Sequence, residues 1–377
     1  MNKINDLHRH NQVYNQALRA AAARVVDSGW YALGPEVDAF ERAFAAYCEC
    51  EFSIGVANGT EALEIALRAV GVAAGHEVIT VANAGFYTST AVLRIGAQPV
   101  YIDIDPIHLL LDPAAIKDAI TPNTKAIVAT HLFGLAVDMD AVLAVAKAHG
   151  LPVVEDCAQA HGARWNGKCV GGLADIAAFS FFPTKNLGAL GDGGAITTNS
   201  PVLVERVKKL RQYGWDKKYY VAHAGASNSR LDEIQAAMLS VKLPHLDQMN
   251  QRRRDIAARY CAGLDKRLTL PKVLDERYVA HLFVLRTPLR DKLQAYLQAN
   301  NIGTDIHYPV LDCDQDVWQG ARPAEVLSVS REAVKQILTL PCFPEMTDAE
   351  VDHVIDVVNQ GVAAISVNVV EDAVCTP

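Results

Sequence analysis

Short apolar runs alternate with longer stretches of helical periodicity over roughly the first 250 residues. The runs at 52–57, 77–81, 99–104, 126–131, 152–156, 176–181 and 195–198 read as strands. Several are almost wholly apolar, as in Ala126-Ile127-Val128-Ala129 and Pro152-Val153-Val154, which predicts a sheet buried on both faces. Helical patterns fill the intervals at 61–70, 88–95, 114–120, 139–148 and 202–213. Such alternation implies a mostly parallel sheet with helices on both sides. A long amphipathic pattern then runs from 231 to about 264 and is broken at Pro244. After Pro271 the elements shorten to a strand at 281–286 and helices at 290–299 and 348–358. The expected organisation is a large α/β domain over 1–248 and a smaller α+β domain over 249–377. Neither repeats nor low-complexity segments interrupt it.

At 377 residues, with 50% hydrophobic and 21% charged positions, the chain has the composition of an ordinary globular protein, which excludes disordered and fibrous architectures. Its 35 basic against 43 acidic side chains give a formal net charge of −8, so no global positive field draws in a nucleic acid. The N-terminal MNKINDLHRHNQ is too polar for a signal peptide, and no stretch approaches the ~18 apolar residues of a membrane helix. The eight cysteines include no C-x-x-C pair and no cluster with histidines, so no metal site is expected; Cys48 and Cys50 read as helix-end thiols. The expected setting is the reducing cytoplasm. The Arg252-Arg253-Arg254 run reads either as an anion site or as a solvated helix face.

Ligands of open α/β sheets bind outside the carboxyl ends of the strands, and three motifs lie there. Asn58-Gly59-Thr60-Glu61 joins a strand to a helix, either as an ordinary capped start or as a seat for an anion on free backbone N–H groups. Asp156 ends the strand Val153-Val154-Glu155, either capping the next helical turn or meeting a cation, because a buried carboxylate is costly alone. Gln159 and His161 come soon after it. In the third, the apolar run Phe179-Ser180-Phe181-Phe182 delivers a lone Lys185 into a Gly-rich turn, where a desolvated amine suits Schiff-base chemistry. An anion seat, a carboxylate for a ring cation and a Schiff-base lysine match pyridoxal 5'-phosphate.

These motifs form an ordered set with Ser28-Gly29-Trp30-Tyr31, Asn228-Ser229-Arg230-Leu231-Asp232-Glu233, His281-Leu282-Phe283-Val284 and Ile302-Gly303-Thr304-Asp305-Ile306-His307-Tyr308-Pro309. By that set the chain resembles, over essentially its whole length, the DegT/DnrJ/EryC1/StrS sugar aminotransferases, pyridoxal-phosphate enzymes of fold type I. The resemblance implies a mostly parallel, roughly seven-stranded sheet with a small C-terminal domain. It implies that Lys185 carries the cofactor as a Schiff base and shuttles protons, and that Asp156 pairs with the pyridinium nitrogen. It further implies that Gln159 lies near O3', that Gly59, Thr60 and Ser180 hold the phosphate, and that Phe86 stacks on the ring. By the same resemblance Asn228 would reach the phosphate of the partner subunit, so the active unit would be a homodimer with its sites at the interface. His161 matches the pattern without a definite role. The implied reaction is transamination of a nucleotide-linked keto sugar by glutamate, with glutamine as an alternative donor. A dTDP-linked 3-keto-6-deoxyhexose is the favoured acceptor, and a 4-keto or UDP-linked sugar is the alternative.

The aromatic, basic loop Gly214-Trp215-Asp216-Lys217-Lys218-Tyr219-Tyr220 ends near Asn228. Lys217 or Tyr219 is therefore expected to help hold the nucleotide in trans, a lysine against pyrophosphate or an aromatic face against the base, the alternative being an ordinary surface loop with solvated lysines. His307 and Tyr308 are expected at the sugar. After them the chain reads Val310-Leu311-Asp312-Cys313-Asp314, where many relatives carry a Pro and a His. Relatives with His at the lysine position are dehydratases, and Lys185 argues against that activity. A desulfurase or aldolase would need a catalytic cysteine loop. A non-enzymatic regulator on the same fold would need a nucleic-acid-binding module. Neither feature is seen in the sequence.

Overall fold

A computed structural model of the chain describes residues 3–316, 322–323 and 326–374. Seven strands build the central sheet: β1 Phe52–Val56, β2 Glu77–Val81, β3 Gln98–Ile102, β4 Thr124–Thr130, β5 Val153–Asp156, β6 Ile176–Ser180 and β7 Gly194–Thr198. They lie in the order β1-β7-β6-β5-β4-β2-β3, with a two-residue eighth strand, Arg322–Pro323, parallel to β3 at the far edge. Strands β6, β5, β4, β2 and β3 run parallel, and β7 is antiparallel to both its neighbours. Nearly every residue of β4, β5 and β7 is buried, as their apolar sequences require for a sheet covered on both faces.

The covering helices start where the sequence supplies caps. Asn58 accepts from the Glu61 N–H before Gly59–Ala69, and Asp138 accepts from the Ala141 N–H before Met139–His149. Pro113 and Pro201 open their helices at the first turn behind Asp112 and Ser200 caps. The helix expected to run to 213 ends at Leu210, because Tyr213 and Gly214 both turn left-handed. Three N-terminal helices, Leu7–Val13, Asn15–Ser28 and Pro35–Tyr47, are not among the expected elements, and neither are Ser328–Gln336 and the strand Ile337–Leu340. That strand pairs antiparallel with Phe283–Arg286 in the C-terminal part. The last helix, Asp348–Val374, runs well past the expected 358. No helix among the described residues is long and apolar enough to cross a membrane.

The long pattern broken at Pro244 is two helices, Glu233–Lys242 and Leu246–Gly263, joined by one turn of 3₁₀ helix. Leu246 and Met249 pack with the core beside the central sheet, whereas Ile256, Ala257 and Tyr260 pack with the C-terminal core. The Arg252–Arg254 run sits on this changeover and is neither an anion site nor simply solvated. Arg252 binds the Met346 carbonyl and Asp348, and buried Arg253 binds the Cys342 carbonyl. The first helix crosses over as well: Arg9 pairs with Glu350 and His10 with Glu345. Cys48 caps the end of Pro35–Tyr47 as a helix-end thiol, and every described cysteine is free; Cys375 lies outside the described residues.

Candidate active site

Parallel pairing brings the carboxyl ends of β4, β5 and β6 to one edge of the sheet: Thr130 lies opposite Asp156, Asp156 opposite Ala178, and Ser180 ends β6 two residues further on. Thr130, Asp156 and Ser180 face a cavity of about 500 Å³, large enough for a cofactor-sized ligand. Gly59, Thr60, Asp156, Gln159, Ser180, Lys185, His307 and Tyr308, all named from sequence, line it.

The end expected to seat an anion is built by close packing. Gly59 opens a helix against Ser180, and a Cβ on Gly59 would meet the Ser180 Cβ at 2.5 Å. Glycine thus lets the free N–H groups of the helix start and the Ser180 hydroxyl share one spot. Gly194, at the start of β7, likewise lies against the Asn58 backbone, where a Cβ would come to 2.6 Å. Gly188 and Gly194, after Lys185, therefore serve close backbone approach, and of these glycines it is Gly59 that lines the cavity. Gly59→Ala is expected to weaken pyridoxal 5'-phosphate binding at least tenfold, read as Kd by fluorescence titration, because Ser180 cannot retreat without breaking β6.

Asp156 is buried, with 5% of its surface exposed. One oxygen accepts from the Ala158 N–H at 3.1 Å, and the other lies 3.4 Å from the hydroxyls of Thr88 and Thr130. Desolvation raises its pKa above the usual carboxylate value, against the Ala158 N–H and the positive charge of Lys185. Such a carboxylate gains from a cation brought into the cavity. Lys185 sits in a tight turn, its N–H donating to the Phe182 carbonyl at 2.8 Å. Desolvation holds its ammonium down to about 8, opposed by Asp156, so at pH 7 roughly a tenth is already the nucleophilic amine, against far less for an ordinary lysine.

Gln159 is fixed in both directions. Its Oε1 accepts from the Phe133 N–H at 2.7 Å, and its Nε2 donates to the Tyr308 hydroxyl at 3.0 Å. His307 faces Thr339 Oγ1 at 2.9 Å through Nδ1 and Asp305 at 3.8 Å through Nε2. Sequence reasoning missed Thr88, Thr130, Asp305 and His281, which approach the same space. Thr130 was legible as the end of an apolar strand. His281 stands out in the sequence only as part of a motif; its Nδ1 meets Asn186 Oδ1 at 3.0 Å, and burial lowers its pKa well below the usual value.

Four expected residues stand elsewhere. Phe86 does not line the cavity; its neighbours Ala84 and Tyr87 do. Lys217, Tyr219 and Asn228 are exposed, and Lys217 and Tyr219 lie in and beside a small hairpin of Trp215–Lys217 with Tyr220–Val221. His161 is fully buried between Phe179 and Phe181, with both ring nitrogens unpartnered, and burial lowers its pKa to about 3. It is a neutral core group behind the site. The buried trio His131, Glu155 and Cys157 has metal-like spacing, but the histidine and the carboxylate are engaged in hydrogen bonds with the protein. His131 Nδ1 accepts from the Val137 N–H, leaving Nε2–H for Glu155, which also takes the N–H groups of Gly171, Leu173 and Ala174.

The model of the DegT/DnrJ/EryC1/StrS aminotransferase family matches residues 13–359. The chain belongs to that family. It is 47% identical over 360 residues to dTDP-3-amino-3,6-dideoxy-alpha-D-galactopyranose transaminase of Aneurinibacillus thermoaerophilus, covering 94% of this chain and 98% of that one. It is 45% identical over 345 residues to dTDP-3-amino-3,4,6-trideoxy-alpha-D-glucose transaminase of Streptomyces venezuelae, covering 90% and 91%. The crystal structure of S. venezuelae DesV in complex with a ketimine intermediate superposes with a TM-score of 0.91 at 43% identity, covering 94% of this chain and 96% of that one. The family membership makes this protein an aminotransferase and places its fold with those enzymes. A 45% identical relative from Geobacillus stearothermophilus carries the name pleiotropic regulatory protein.

Proposed function

We propose that the protein transfers an amino group from glutamate to a nucleotide-linked keto sugar, with pyridoxal 5'-phosphate as cofactor. The observation that carries this reading is the meeting of Lys185, Asp156 and the Gly59–Ser180 seat around one cavity. The fit to the cofactor is chemical at each end. A seat that a single Cβ would close suits a phosphate, a buried carboxylate short of cations suits a pyridinium, and a partly neutral lysine suits an aldehyde.

Gly59, Thr60 and Ser180 would hold the phosphate, and Gln159 would keep a second N–H free for the ring hydroxyl. The loop carrying Ala84, Phe86 and Tyr87 would cover the ring face. When bound, the cofactor supplies an electron sink for the carbanion left by proton removal from the substrate carbon. Asp156 would keep the ring nitrogen protonated, which maintains that sink. Lys185 Nζ would take the proton from one carbon and return it to another, a role suited by a pKa near working pH. The favoured acceptor is a dTDP-linked 3-keto-6-deoxyhexose, supported by the two dTDP-sugar transaminases at 45–47% identity. A UDP-linked acceptor draws support from a 38% identical relative in Acidithiobacillus ferrooxidans, whose name gives it as a 3-amino transfer enzyme for UDP-N-acetyl-3-dehydro-alpha-D-glucosamine. Incubating the purified protein with glutamate and a panel of nucleotide keto sugars, followed by mass spectrometry, decides among them. Amination of the dTDP-3-keto sugar in preference to the others is the expected result.

The reading includes a cytoplasmic homodimer and a division between domains near residue 248. Exposed Trp30, Tyr31, Phe182, Tyr219 and Tyr220 support a partner surface, and Phe182 also lines the cavity. In this reading Asn228, Lys217 and Tyr219 serve the neighbouring subunit's site, Lys217 by its charge against the pyrophosphate. In the free hairpin Lys217 Nζ rests 4.3 Å from the Tyr220 ring centroid, an exposed contact that a phosphate can displace at small cost. Lys217→Ala is expected to raise KM for the sugar nucleotide about tenfold and to leave the half-reaction with glutamate unchanged. Equal losses in both half-reactions would remove Lys217 from the nucleotide site.

A further inference from the structure

The segment after Tyr308, where this sequence departs from many of its relatives, does not simply border the sugar side of the cavity. It is locked to the loop that joins β2 to the helix Tyr87–Arg94. The Asp312 N–H donates to the Ala82 carbonyl at 2.7 Å, and its carboxylate accepts from the Phe86 N–H at 2.9 Å and the Ser89 hydroxyl at 2.5 Å. Ser89 Oγ also meets the Tyr101 hydroxyl at 2.8 Å, which ties the group to β3. Just before Phe86, Gly85 has φ +81°, and a Cβ there would lie 2.8 Å from the Tyr308 ring. Tyr87 meets the same ring edge-on at a centroid distance of 6.0 Å.

Only 1% of Asp312 is exposed, and its hydrogen-bond partners are neutral. Burial pushes its carboxyl up to about 7, so holding the carboxylate in this place costs stability. The contacts it makes bracket Ala84 and Tyr87, which line the cavity, and Thr88, whose hydroxyl lies 3.4 Å from Asp156. Phe86 itself sits at φ +70°, a left-handed conformation unfavourable for a bulky residue, and the hydrogen bond to its N–H helps hold it there.

We propose that Asp312 is a positioning residue that fixes the 82–89 loop over the cofactor and couples it to the segment carrying His307 and Tyr308. The inference rests on the cofactor reading above. It assigns to Asp312 no contact with the cofactor or the substrate. Its effect passes through Phe86, Ser89 and the first turn of the helix between them.

The test is cofactor affinity measured on apo-protein by titration with pyridoxal 5'-phosphate, together with the melting temperature of the apo form. Asp312→Ala is expected to raise Kd at least tenfold. Asp312→Asn is expected to restore most of the affinity, since an amide oxygen can accept from the Phe86 N–H while its NH₂ donates to Ser89. Ser89→Ala, which leaves the Phe86 contact in place, is expected to raise Kd by a smaller factor, severalfold. It also keeps the proposal testable if Asp312→Ala does not fold. An unchanged Kd in Asp312→Ala or Ser89→Ala, with only a lower apo melting temperature, would overturn the proposal and leave Asp312 a fold-stabilising residue. Failure of the unmodified protein to bind pyridoxal 5'-phosphate would instead refute the cofactor reading.

Discussion

Lys185→Ala is expected to abolish amino transfer, with kcat falling by on the order of 10⁴-fold or more, while the variant keeps its fold and still binds pyridoxal 5'-phosphate without a covalent link. Lys185 is the one lysine lining the cavity among the described residues, and no other side chain there combines a nucleophilic amine with a pKa near 8. It is asked both to hold the cofactor and to move protons; positioned proton transfer alone contributes roughly 10²–10⁴-fold. His281 and His307 stand nearby, but burial lowers the pKa of each, and neither can form the link to an aldehyde. Absorbance separates the two functions. The unmodified protein should show the visible band of a lysine-linked cofactor, and the variant the spectrum of the free aldehyde. Turnover within tenfold of the unmodified protein would remove Lys185 from the mechanism.

The second large effect belongs to Asp156→Asn. The rate of amino transfer is expected to fall about 10²–10³-fold, which at ~1.4 kcal/mol per tenfold corresponds to about 3–4 kcal/mol of lost stabilisation of the carbanion. The amide has the shape of the carboxylate but cannot keep the ring nitrogen protonated. Apo stability should move the other way. The folded-state pKa of Asp156 is raised, so folding favours its protonated form, and the contribution of this group to stability declines as pH rises from the unfolded value through the folded one. Above that window the apo variant should melt at or above the temperature of the unmodified apo-protein. The added stability on saturation with cofactor should be smaller in the variant. A variant as active as the unmodified protein would reduce Asp156 to a cap, here on the Ala158 N–H.

The central sheet was legible because its strands are buried on both faces and read as continuous apolar runs, as in β4 and β5. The expected bounds of β2 coincide with the observed ones, and those of the other strands differ by one or two residues at one or both ends. The first helix was missed because it has only seven residues and its polar side chains are partnered far away: His10 has its partner in Glu345 and Arg9 in Glu350, contacts that no local pattern announces. The same holds for the Arg252–Arg254 run, whose meaning lies in the carbonyls of Cys342 and Met346. At the candidate site, residues at strand ends could be named because the topology of parallel sheets puts ligands there, and Asp156, Ser180 and Lys185 all follow that rule. Asp312 could not be named. Its significance depends on Phe86 and Ser89, more than 220 residues earlier, and a lone Asp in a loop gives no sign of burial.

The residue that bears the cofactor decides between this mechanism and any other. Reducing the purified protein, loaded with pyridoxal 5'-phosphate, by borohydride and mapping its peptides by mass spectrometry locates the link directly. The expected result is a single modified peptide carrying the phosphopyridoxyl group on Lys185. A label on any other lysine, or no stable label in a protein that retains the cofactor, would contradict it.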